Sequence, residues 1–395
     1  MLKKIPASRL RQGMFIHDLN CSWMDHPFLR NQFLVEDEEM LRKIAEAGIG
    51  ELYIDTGRGL DVAPEESPGS APVGGATATF PEKLATGTPA LVNEVARAKK
   101  LHHEANKLVS GLMRDVRLGQ QIEVEQCEPV VEAIIDSIFR KPDALLPLAQ
   151  VKNRDEYTFQ HSVAVAALAA AFGRTLELPR AVIKELAIGG LLHDVGKALV
   201  PDAVLNKPGK LTDDEFALMK NHAALGAQLL KKTPGISEIA YNAAAQHHER
   251  FDGTGYPLGL KGDDISLYGQ MLAIVDVYDA ITSLRIYHKG MPPTEALRNM
   301  FQWSKQHFSP TLVQAFIKGI GIYPAGSLVR MESGRMGVVR EVVPDKLLQP
   351  VVKVFFSAEK RCYLPPETVA LAECDDKIVA HESFEKWNID QAAWL

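Results

Sequence analysis

Apolar side chains recur at helical spacing through most of the chain, and shorter strand-like stretches mark its two ends. After residue 90 the apolar positions return every three or four residues, as along one face of an α-helix. Residues 91–117 and 123–140 each predict one helix, and helical patterns dominate from residue 153 to 320. The largest part of the molecule is therefore predicted to be a helical bundle.

Helix starts within this bundle carry recognisable signals. Thr212 and Glu215 have the spacing of a capping box and predict a helix that runs through Leu230. Pro179 and Pro292 stand where two further helices should begin, because proline costs no amide hydrogen bond in a first turn. These signals divide the helical region into separate, closely connected helices.

Strand-like stretches lie near both ends of the chain. Those before residue 62 are Met14–Ile16, Phe33–Val35 and Glu51–Ile54, with a helix predicted over 37–47 that ends at Gly48. Those beyond Tyr323 are Ser327–Met331, Met336–Val342, Val351–Ser357 and Arg361–Leu364. The predicted fold is multidomain and mainly α, with a small N-terminal α+β module and a small C-terminal β appendage.

Composition changes abruptly at Pro64. Residues 64–90 are rich in Pro, Gly, Ser, Thr and Ala, as expected of a flexible linker. A chain of 395 residues, 46% of them hydrophobic, is also too long for one ordinary core. The predicted segments are an N-terminal module over 1–62, a flexible linker over 63–90, a helical stalk over 91–150, a helical domain over 151–322 and a β-rich appendage over 323–395. The amphipathic stalk helices would also suit a homodimer interface.

Charge and composition exclude several classes of protein. The net charge of −6 argues against binding along a polymeric nucleic acid, although a small anionic ligand could still meet a local basic pocket. The sequence has neither a run of eighteen apolar residues nor a signal peptide, so we expect a cytoplasmic protein without a membrane partner. The four cysteines form no CxxC pair, which argues against a disulfide framework or a thiolate zinc site.

Histidines and aspartates occur at intervals of about one helical hairpin through the bundle. In chain order they are His161, His193, Asp194, His222, His247, His248 and Asp276. His161 and His222 share their helix faces with apolar residues, so both rings should point inward. Buried imidazoles and carboxylates are costly alone, whereas divalent ions satisfy both. A metal site of nitrogen and oxygen donors follows, which suits iron, manganese, zinc, cobalt or nickel.

These residues resemble the signature of a known family, the HD-GYP subfamily of HD-domain phosphohydrolases. In chain order the matching positions are His161, His193-Asp194-x-Gly196-Lys197, His222, His247-His248-Glu249, Asp252-Gly253-Thr254-Gly255-Tyr256-Pro257 and Asp276. The similarity covers residues 150–322. Residues 1–62, with Cys21-Ser22-Trp23 and His26-Pro27-Phe28, also resemble the module of unassigned function that often precedes this domain. The resemblance implies a bacterial cyclic di-GMP phosphodiesterase.

The resemblance implies two divalent metal ions, iron or manganese before zinc, nickel or cobalt. One ion would be held by His161, His193, Asp194 and Asp276, and the other by His222, His247 and His248, with Asp194 as the bridge. Some family members recruit a third metal through a Glu four residues before the first His. Tyr157 occupies that position here, so we expect a binuclear site, although Glu156 or Asp155 could reach inward if the helix starts irregularly.

The implied reaction is hydrolysis of cyclic di-GMP to linear pGpG by a metal-bridging hydroxide, and further hydrolysis to GMP stays open. Two cations that share a carboxylate can lower the pKa of a bridging water and stabilise an in-line displacement. Lys197 follows the ligands directly and is implied to contact phosphate beside Asp194 in catalysis; the alternative is a solvated charge at a helix end. Arg285 and Lys289 match family positions that bind substrate phosphates. Asp279 is interpreted as support for a ligand, as a partner of Arg285, or as part of a local helix ion pair.

The Gly-Tyr-Pro loop is implied to contact substrate through Asp252, Gly253, Gly255, Tyr256 and Pro257. The glycines allow positive φ and close backbone approach, the tyrosine offers a flat face to guanine, and the proline fixes the exit of the loop. Docking of a diguanylate cyclase or another signalling protein would use the same loop. A purely structural turn is the third interpretation.

The sequence leaves two other functions open. One is a phosphohydrolase that acts on a dNTP or on another cyclic dinucleotide. The other is a receptor that binds cyclic di-GMP without cleaving it. The pair Arg285 and Lys289 favours a substrate with two phosphodiesters, and the complete ligand set argues against a receptor.

Overall fold

The computed structural model describes residues 2–18, 33–35, 37, 40–42, 44, 51–60, 89–150, 157–207, 209–283 and 290–394. The chain divides into two compact units, residues 1–82 and 83–395. Within the described part, no helix combines the length and the apolar character that a membrane span requires.

The N-terminal unit contains a four-stranded antiparallel sheet. Its strands are β1 (Leu2–Pro6), β2 (Phe15–Asp18), β3 (Phe33–Leu34) and β4 (Glu51–Asp55), in the spatial order β1-β4-β2-β3. The sequence pattern missed β1, whose partner in the sheet lies some fifty residues away, with Leu2 opposite Asp55. Residues 40–42 and 44 are helical, whereas most of the predicted helix 37–47, and the motifs around Trp23 and Pro27, lie outside the described residues. The predicted α+β character of this module is confirmed.

Helices build the first part of the second unit. They are α1 (Pro89–Arg117), α2 (Glu128–Arg140), α3 (Pro142–Gln150), α4 (Tyr157–Thr175), α5 (Arg180–Leu192), α6 (Asp202–Leu205), α7 (Asp213–Lys231), α8 (Glu238–Gln246), α9 (Leu267–Thr282), α10 (Pro293–Trp303) and α11 (Pro310–Ile320). The capping box at Thr212 and Glu215 is present, and Pro179 and Pro292 precede α5 and α10 as predicted. The mainly helical fold class is therefore confirmed.

The central helix α4 is covered on all sides, because residues 163–172 are all buried. Many of these residues are alanines, and their small side chains let neighbouring helices approach closely. Gly190 of α5 faces this helix, and a Cβ atom there would lie 3.1 Å from the Cα atom of Ala166. The missing side chain of Gly190 therefore permits the close approach of α4 and α5. This packing holds the two helices that carry the first histidines of the site.

The helix α1 is not a free-standing stalk. Its buried side chains, among them Leu101, Val109 and Leu112, belong to the same core cluster as Val163 of α4 and Val195 just beyond α5. Amphipathicity predicts that one face of a helix is covered, but it does not predict by what. The apolar face that would have suited a dimer is covered by the chain itself.

The predicted helix 123–140 is also interrupted. A 3₁₀ turn over Val124–Gln126 precedes α2, and Cys127 stands between them. Pro129 lies in the first turn of α2, where its missing amide hydrogen costs no hydrogen bond. The α-helix therefore begins at Glu128.

A five-stranded antiparallel sheet completes the second unit. Its strands are β5 (Leu328–Met331), β6 (Arg335–Glu341), β7 (Val351–Ser357), β8 (Cys362–Ala370) and β9 (Ile378–His381), in the order β8-β7-β6-β5-β9. One face buries valines such as Val339 and Val352, and the other is covered by a C-terminal segment that includes α12 (Phe384–Trp387). The β appendage is confirmed, although β8 runs past the predicted end at Leu364 and β9 was not predicted.

Candidate metal centre

The structure brings all seven predicted ligands into one cluster, in which six are buried and His248 is partly exposed. His161 lies on α4, His222 on α7 and Asp276 on α9. His193 and His247 stand at the C-terminal ends of α5 and α8, and Asp194 and His248 follow them directly. The donor atoms form overlapping groups within 4.8 Å of one another: His161, His193 and Asp276; His193, Asp194 and His247; and His222, His247 and His248.

Three of the histidines are held in one tautomer by their own helices. Each donates its Nδ1 hydrogen to the carbonyl oxygen three residues earlier: His193 to Gly190 at 2.8 Å, His222 to Met219 at 2.7 Å and His247 to Ala244 at 2.6 Å. A carbonyl oxygen only accepts, so Nδ1 must carry the hydrogen and Nε2 must present a lone pair. All three lone pairs are thus available to a metal ion.

Asp279 performs the same task for the fourth ring. Its Oδ2 atom lies 2.6 Å from Nδ1 of His161, and the Asp279 side chain is almost fully buried. Carboxylates that accept from a metal-bound histidine orient the ring and raise its basicity. The contact fits Asp279 as support of a predicted ligand, while its predicted pairing with Arg285 lies outside the described residues.

Asp194 lies between the two halves of the cluster. Its Oδ2 atom is 3.3 Å from Nε2 of His193, and its Oδ1 atom is 3.3 Å from Nε2 of His222. In the first half, Nε2 of His161 also lies 2.9 Å from Oδ1 of Asp276. One carboxylate therefore presents an oxygen to each half, which is the geometry of a bridging ligand.

The buried polar atoms fit divalent cations. Nε2 of His193, Nε2 of His247 and Oδ1 of Asp194 are buried without a hydrogen-bond partner in this structure. Each such atom costs about 1–3 kcal/mol if nothing satisfies it. The Nε2 atoms of His222 and His248 also lie only 3.1 Å apart, a separation that a shared cation would favour. The donor set therefore suits metal binding.

The protonation states of two histidines and both carboxylates suit metal binding, whereas at His193 burial is outweighed by the Asp194 and Asp276 carboxylates, which raise the pKa. Burial lowers the pKa of His247 well below its usual range and that of His248 to about 3, so both rings are neutral. Burial alone would raise the pKa of the Asp194 and Asp276 carboxyls. At Asp194 this effect is outweighed by His193 and Lys197, and at Asp276 by His161 and His193. The pKa of each carboxyl is therefore held well below the ordinary value. Neutral imidazoles and ionised carboxylates are the forms that bind metals.

Lys197 contacts the centre through the bridging carboxylate. Its Nζ atom lies 2.5 Å from Oδ2 of Asp194, and about a quarter of its side chain is exposed. The side chain of Lys197 therefore reaches from the protein surface to a buried carboxylate of the cluster. Because its ammonium group pairs with a buried carboxylate, Lys197 is not simply a solvated charge at a helix end, and its contact with phosphate stays a prediction.

The Gly-Tyr-Pro loop lies at the mouth of the centre. The ring of Tyr256 is 4.6 Å from that of His248, centre to centre. Gly253 has a φ of +84°, as expected of a glycine turn, whereas Gly255 is needed for space, because a Cβ atom there would lie 2.3 Å from the backbone nitrogen of Arg250. Both predicted uses of glycine occur, but at different positions.

Two acidic residues hold this loop in shape. Asp252 accepts hydrogen bonds from the backbone and hydroxyl of Thr254, at 2.9 and 2.7 Å. The carboxylate predicted to meet substrate is therefore engaged within the loop itself. Glu249, buried directly after the His247-His248 pair, accepts from the backbone of Leu258 at 2.7 Å and of Leu260 at 3.0 Å. The sequence motif included Glu249 but did not predict its connection with the loop.

Some predicted residues lie outside the described part of the chain. These are Arg285 and Lys289, the two predicted phosphate contacts, together with Asp155, Glu156 and the side chain of Tyr157. The structure therefore gives no test of their assigned roles. The other predicted substrate residue of the loop, Pro257, follows Tyr256 at the mouth of the centre.

Comparison with known proteins identifies the family. A family model described as an HD domain matches residues 132–312, and one described as a domain of unknown function (DUF3391) matches residues 2–127. The cyclic di-GMP phosphodiesterase PA4108 of Pseudomonas aeruginosa is 45% identical over 98% of this chain and 94% of its own length. The chain belongs to the HD-GYP family of HD-domain proteins. The predicted N-terminal resemblance is confirmed, and its family model covers all of α1 and ends at residue 127.

Other relatives match this HD-GYP protein over less than half its length. A cyclic di-GMP phosphodiesterase of Vibrio cholerae is 42% identical over 43% of this chain and 37% of that protein. The 3'3'-cGAMP-specific phosphodiesterase 3 of the same organism is 37% identical over 44% of this chain and 38% of that protein. Relatives named for two different cyclic dinucleotides are thus similar to this chain.

Proposed function

We propose that this chain is a metal-dependent phosphodiesterase that hydrolyses cyclic di-GMP to linear pGpG. The observation that carries the proposal is the buried cluster in which Asp194 presents one oxygen to His193 and the other to His222. The near full-length similarity to a protein named for this activity supports the substrate. The proposal also includes a cytoplasmic location, where the cyclic dinucleotide would be met.

We propose two divalent ions, iron or manganese before zinc, nickel or cobalt. His161, His193, Asp194 and Asp276 would hold one, and His222, His247 and His248 the other. Two of the three donor groups support this division, and Asp194, whose oxygens face His193 and His222, would join them. Divalent ions at such a site lower the pKa of water and neutralise charge that develops on a phosphodiester.

The residues of the chain supply orientation and charge. The Nδ1 hydrogen bonds of the four histidines fix the donor atoms before substrate arrives, which reduces reorganisation during the reaction. Lys197 brings a positive charge to the edge of the cluster, where a phosphate would approach. In the overall reaction, water adds to one phosphorus, the bond to the 3′ oxygen breaks and that oxygen takes a proton, which leaves pGpG with a 5′-phosphate.

A phosphodiesterase specific for 3'3'-cGAMP is the second candidate. The similarity to relatives named for that substrate favours it. The two cyclic dinucleotides differ in one base and share both phosphodiesters, so the metal cluster alone does not separate them. A comparison of kcat/KM for the two substrates decides between these candidates.

The Gly-Tyr-Pro loop remains proposed both as a substrate contact and as a docking site for a diguanylate cyclase or another signalling protein. Leu258 supports the docking role, because this apolar residue beside the motif is 72% exposed. Glu249 and Asp252 accept hydrogen bonds from the loop backbone, and a loop with such internal support suits either role.

The test combines metal analysis with product analysis. Protein purified without oxygen should contain about two metal ions per chain and should convert cyclic di-GMP to pGpG. Asp194→Asn should lose metal and activity, whereas Asp263→Asn, at an exposed aspartate in the same domain, should retain both. Intact cyclic di-GMP after incubation with protein loaded with iron, manganese or nickel would overturn the proposal, and faster cleavage of 3'3'-cGAMP would favour the second candidate.

A further inference from the structure

A cavity of about 280 Å³ lies where the helical bundle meets the C-terminal sheet. Its lining comes from α2, α3, α4, α9 and α11, and from the residues that precede β5 and follow β6. The volume is just below the range of about 300–1,000 Å³ that is usual for drug-sized ligands, so the cavity suits a small metabolite. None of the seven predicted metal ligands lines it, so the cavity is separate from the metal centre.

Most of the wall of this cavity is apolar. Leu168 of α4 and Tyr278 of α9 line it and are almost completely buried in the core. The other large apolar side chains of the wall are Ile138, Leu146, Ile320 and Val342. A ligand group that moved from water into this space would be stabilised by about 25 cal/mol for each Å² of apolar surface buried. The occupant should therefore carry an aliphatic or aromatic side chain.

Two opposite charges face this apolar wall. Asp143 lies in the first turn of α3, and Arg174 lies in the last turn of α4. Within the described part of the chain, no direct ion pair joins the two side chains, although they interact electrostatically. Nη1 of Arg174 donates to the carbonyl oxygen of Ile138 at 2.6 Å, which orients the guanidinium and leaves it further N–H groups to donate. An exposed lysine, Lys318, adds positive charge to the same lining.

The carboxyl group of Asp143 is in an unfavourable environment for its charge. Burial, and secondarily the nearby Glu341, raise the pKa of this carboxyl to about 6. The backbone of Val342 and the charges of Lys141 and Arg174 act in the opposite direction and do not outweigh burial. A buried carboxylate is favourable only when a positive or donating group compensates it. An ammonium group inside the cavity would supply that compensation.

We propose that this cavity binds an α-amino acid with an apolar side chain. Its ammonium group would meet Asp143, its carboxylate would meet Arg174, and its side chain would pack against the apolar wall. A zwitterion matches two opposite charges that face one space without pairing directly, whereas a simple acid or a simple amine would satisfy only one of them. This binding site goes beyond the proposed phosphodiesterase function and does not depend on it.

Two helices reach both this cavity and the metal centre. The helix α4 carries His161 and contributes Leu168 to the cavity, and α9 carries Asp276 and contributes Tyr278. A bound amino acid would therefore contact the helices of the metal centre without contacting a predicted metal ligand. Binding at the two sites can accordingly be measured separately.

The first test uses calorimetry on the unaltered protein at neutral pH to define the class of ligand. Leucine and phenylalanine should bind, whereas isocaproate, which is leucine without its amine, and isoamylamine, which is leucine without its carboxylate, should each bind about tenfold more weakly or worse, because each lacks one charge-assisted hydrogen bond. Isocaproate or isoamylamine that bound as tightly as leucine would overturn the assignment of a zwitterion. Failure of both amino acids to bind would overturn the site.

The second test places the binding in the cavity. Asp143→Asn and Arg174→Gln should each weaken leucine binding about tenfold. The matched controls, Asp375→Asn and Arg298→Gln at exposed positions, should bind leucine as the unaltered protein does. Unchanged affinity in both cavity variants would overturn the proposal.

A third measurement separates this site from the metal centre, because amino acids also chelate metal ions through their amine and carboxylate. Asp194→Asn, which we expect to lose metal, should still bind leucine with unchanged affinity. Loss of leucine binding in a normally folded Asp194→Asn protein would place the amino acid at the metal centre and overturn the cavity assignment. None of these measurements follows phosphodiester hydrolysis, so failure of this proposal leaves the proposed function intact, and failure of the proposed function leaves this site testable.

Discussion

Asp279 provides a test of how the metal centre is held together, because it supports a ligand without belonging to the predicted ligand set. Its Oδ2 atom lies 2.6 Å from Nδ1 of His161, and the residue is 1% exposed. In Asp279→Asn the amide oxygen can still accept the hydrogen bond, but the negative charge is lost. The ring should therefore keep its orientation and become a weaker donor.

The expected loss of metal affinity in Asp279→Asn depends on this one hydrogen bond. Replacing the partner of a metal-bound histidine costs about 10–100-fold in metal affinity, or about 1.4–2.8 kcal/mol. The loss should fall on the ion held by His161, His193 and Asp276, since His222, His247 and His248 are oriented by other contacts. We therefore expect one of two ions to become weakly bound.

Competition with a chelator, followed by metal analysis, measures this loss site by site. Asp264→Asn, at an exposed aspartate in the same domain, is the matched control and should retain both affinities. The reasoning is refuted if Asp279→Asn folds normally and binds both ions as tightly as the unaltered protein. Equal weakening of both ions would show instead that the two halves do not bind independently.

Two further predictions concern the scaffold. Gly190→Ala should lower the free energy of unfolding in urea by about 1–3 kcal/mol, because the new Cβ would lie 3.1 Å from the Cα of Ala166. Gly111→Ala is the matched control. A Cβ there would meet no atom within 4 Å, so this variant should stabilise α1 by about 0.5–1 kcal/mol. A stabilised Gly190→Ala would contradict the packing described for α4 and α5. For Glu382, burial opposes the charge, but hydrogen bonds from Lys386, Trp387 and Arg330 outweigh it and lower the pKa to about 2. The ionised Glu382 side chain should contribute about 1–3 kcal/mol to the free energy of unfolding. This contribution should be present above pH 4.5 and lost as the pH falls towards 2. Tryptophan fluorescence should show this loss in the unaltered protein and not in Glu382→Gln; equal acid sensitivity of the two would exclude Glu382 as the cause.

Much of the fold could be predicted because it depends on local pattern. The capping box at Thr212 and Glu215 and the prolines at 179 and 292 marked helix starts correctly, since these signals act within one turn. The strands β1 and β9 were missed, because each is defined by pairing with a strand far away in sequence. What covers the apolar face of α1 was not predicted for a similar reason, since the covering residues come from elsewhere in the chain.

The members of the histidine and aspartate cluster were predicted from the sequence, but the contacts that support them were not. Histidine and aspartate are rare in a core, so seven of them at regular intervals in an apolar bundle already indicate a metal. Asp279 was left with three interpretations, because contact with His161 spans 118 residues. Glu249 belonged to the motif, but its hydrogen bonds to the loop depend on a backbone turn that no spacing rule describes.

The sequence by itself determined the chemistry of this protein, because the donor types, their spacing and the Gly-Tyr-Pro signature are properties of single residues and short segments. Tertiary structure alone decided that Asp194 faces both halves of the cluster, that Asp252 is engaged within its loop, and that Asp143 of α3 and Arg174 of α4 line one cavity. The physical reason is that hydrogen bonds and cavities depend on distances between distant parts of the chain. Those distances are set only when the helices pack.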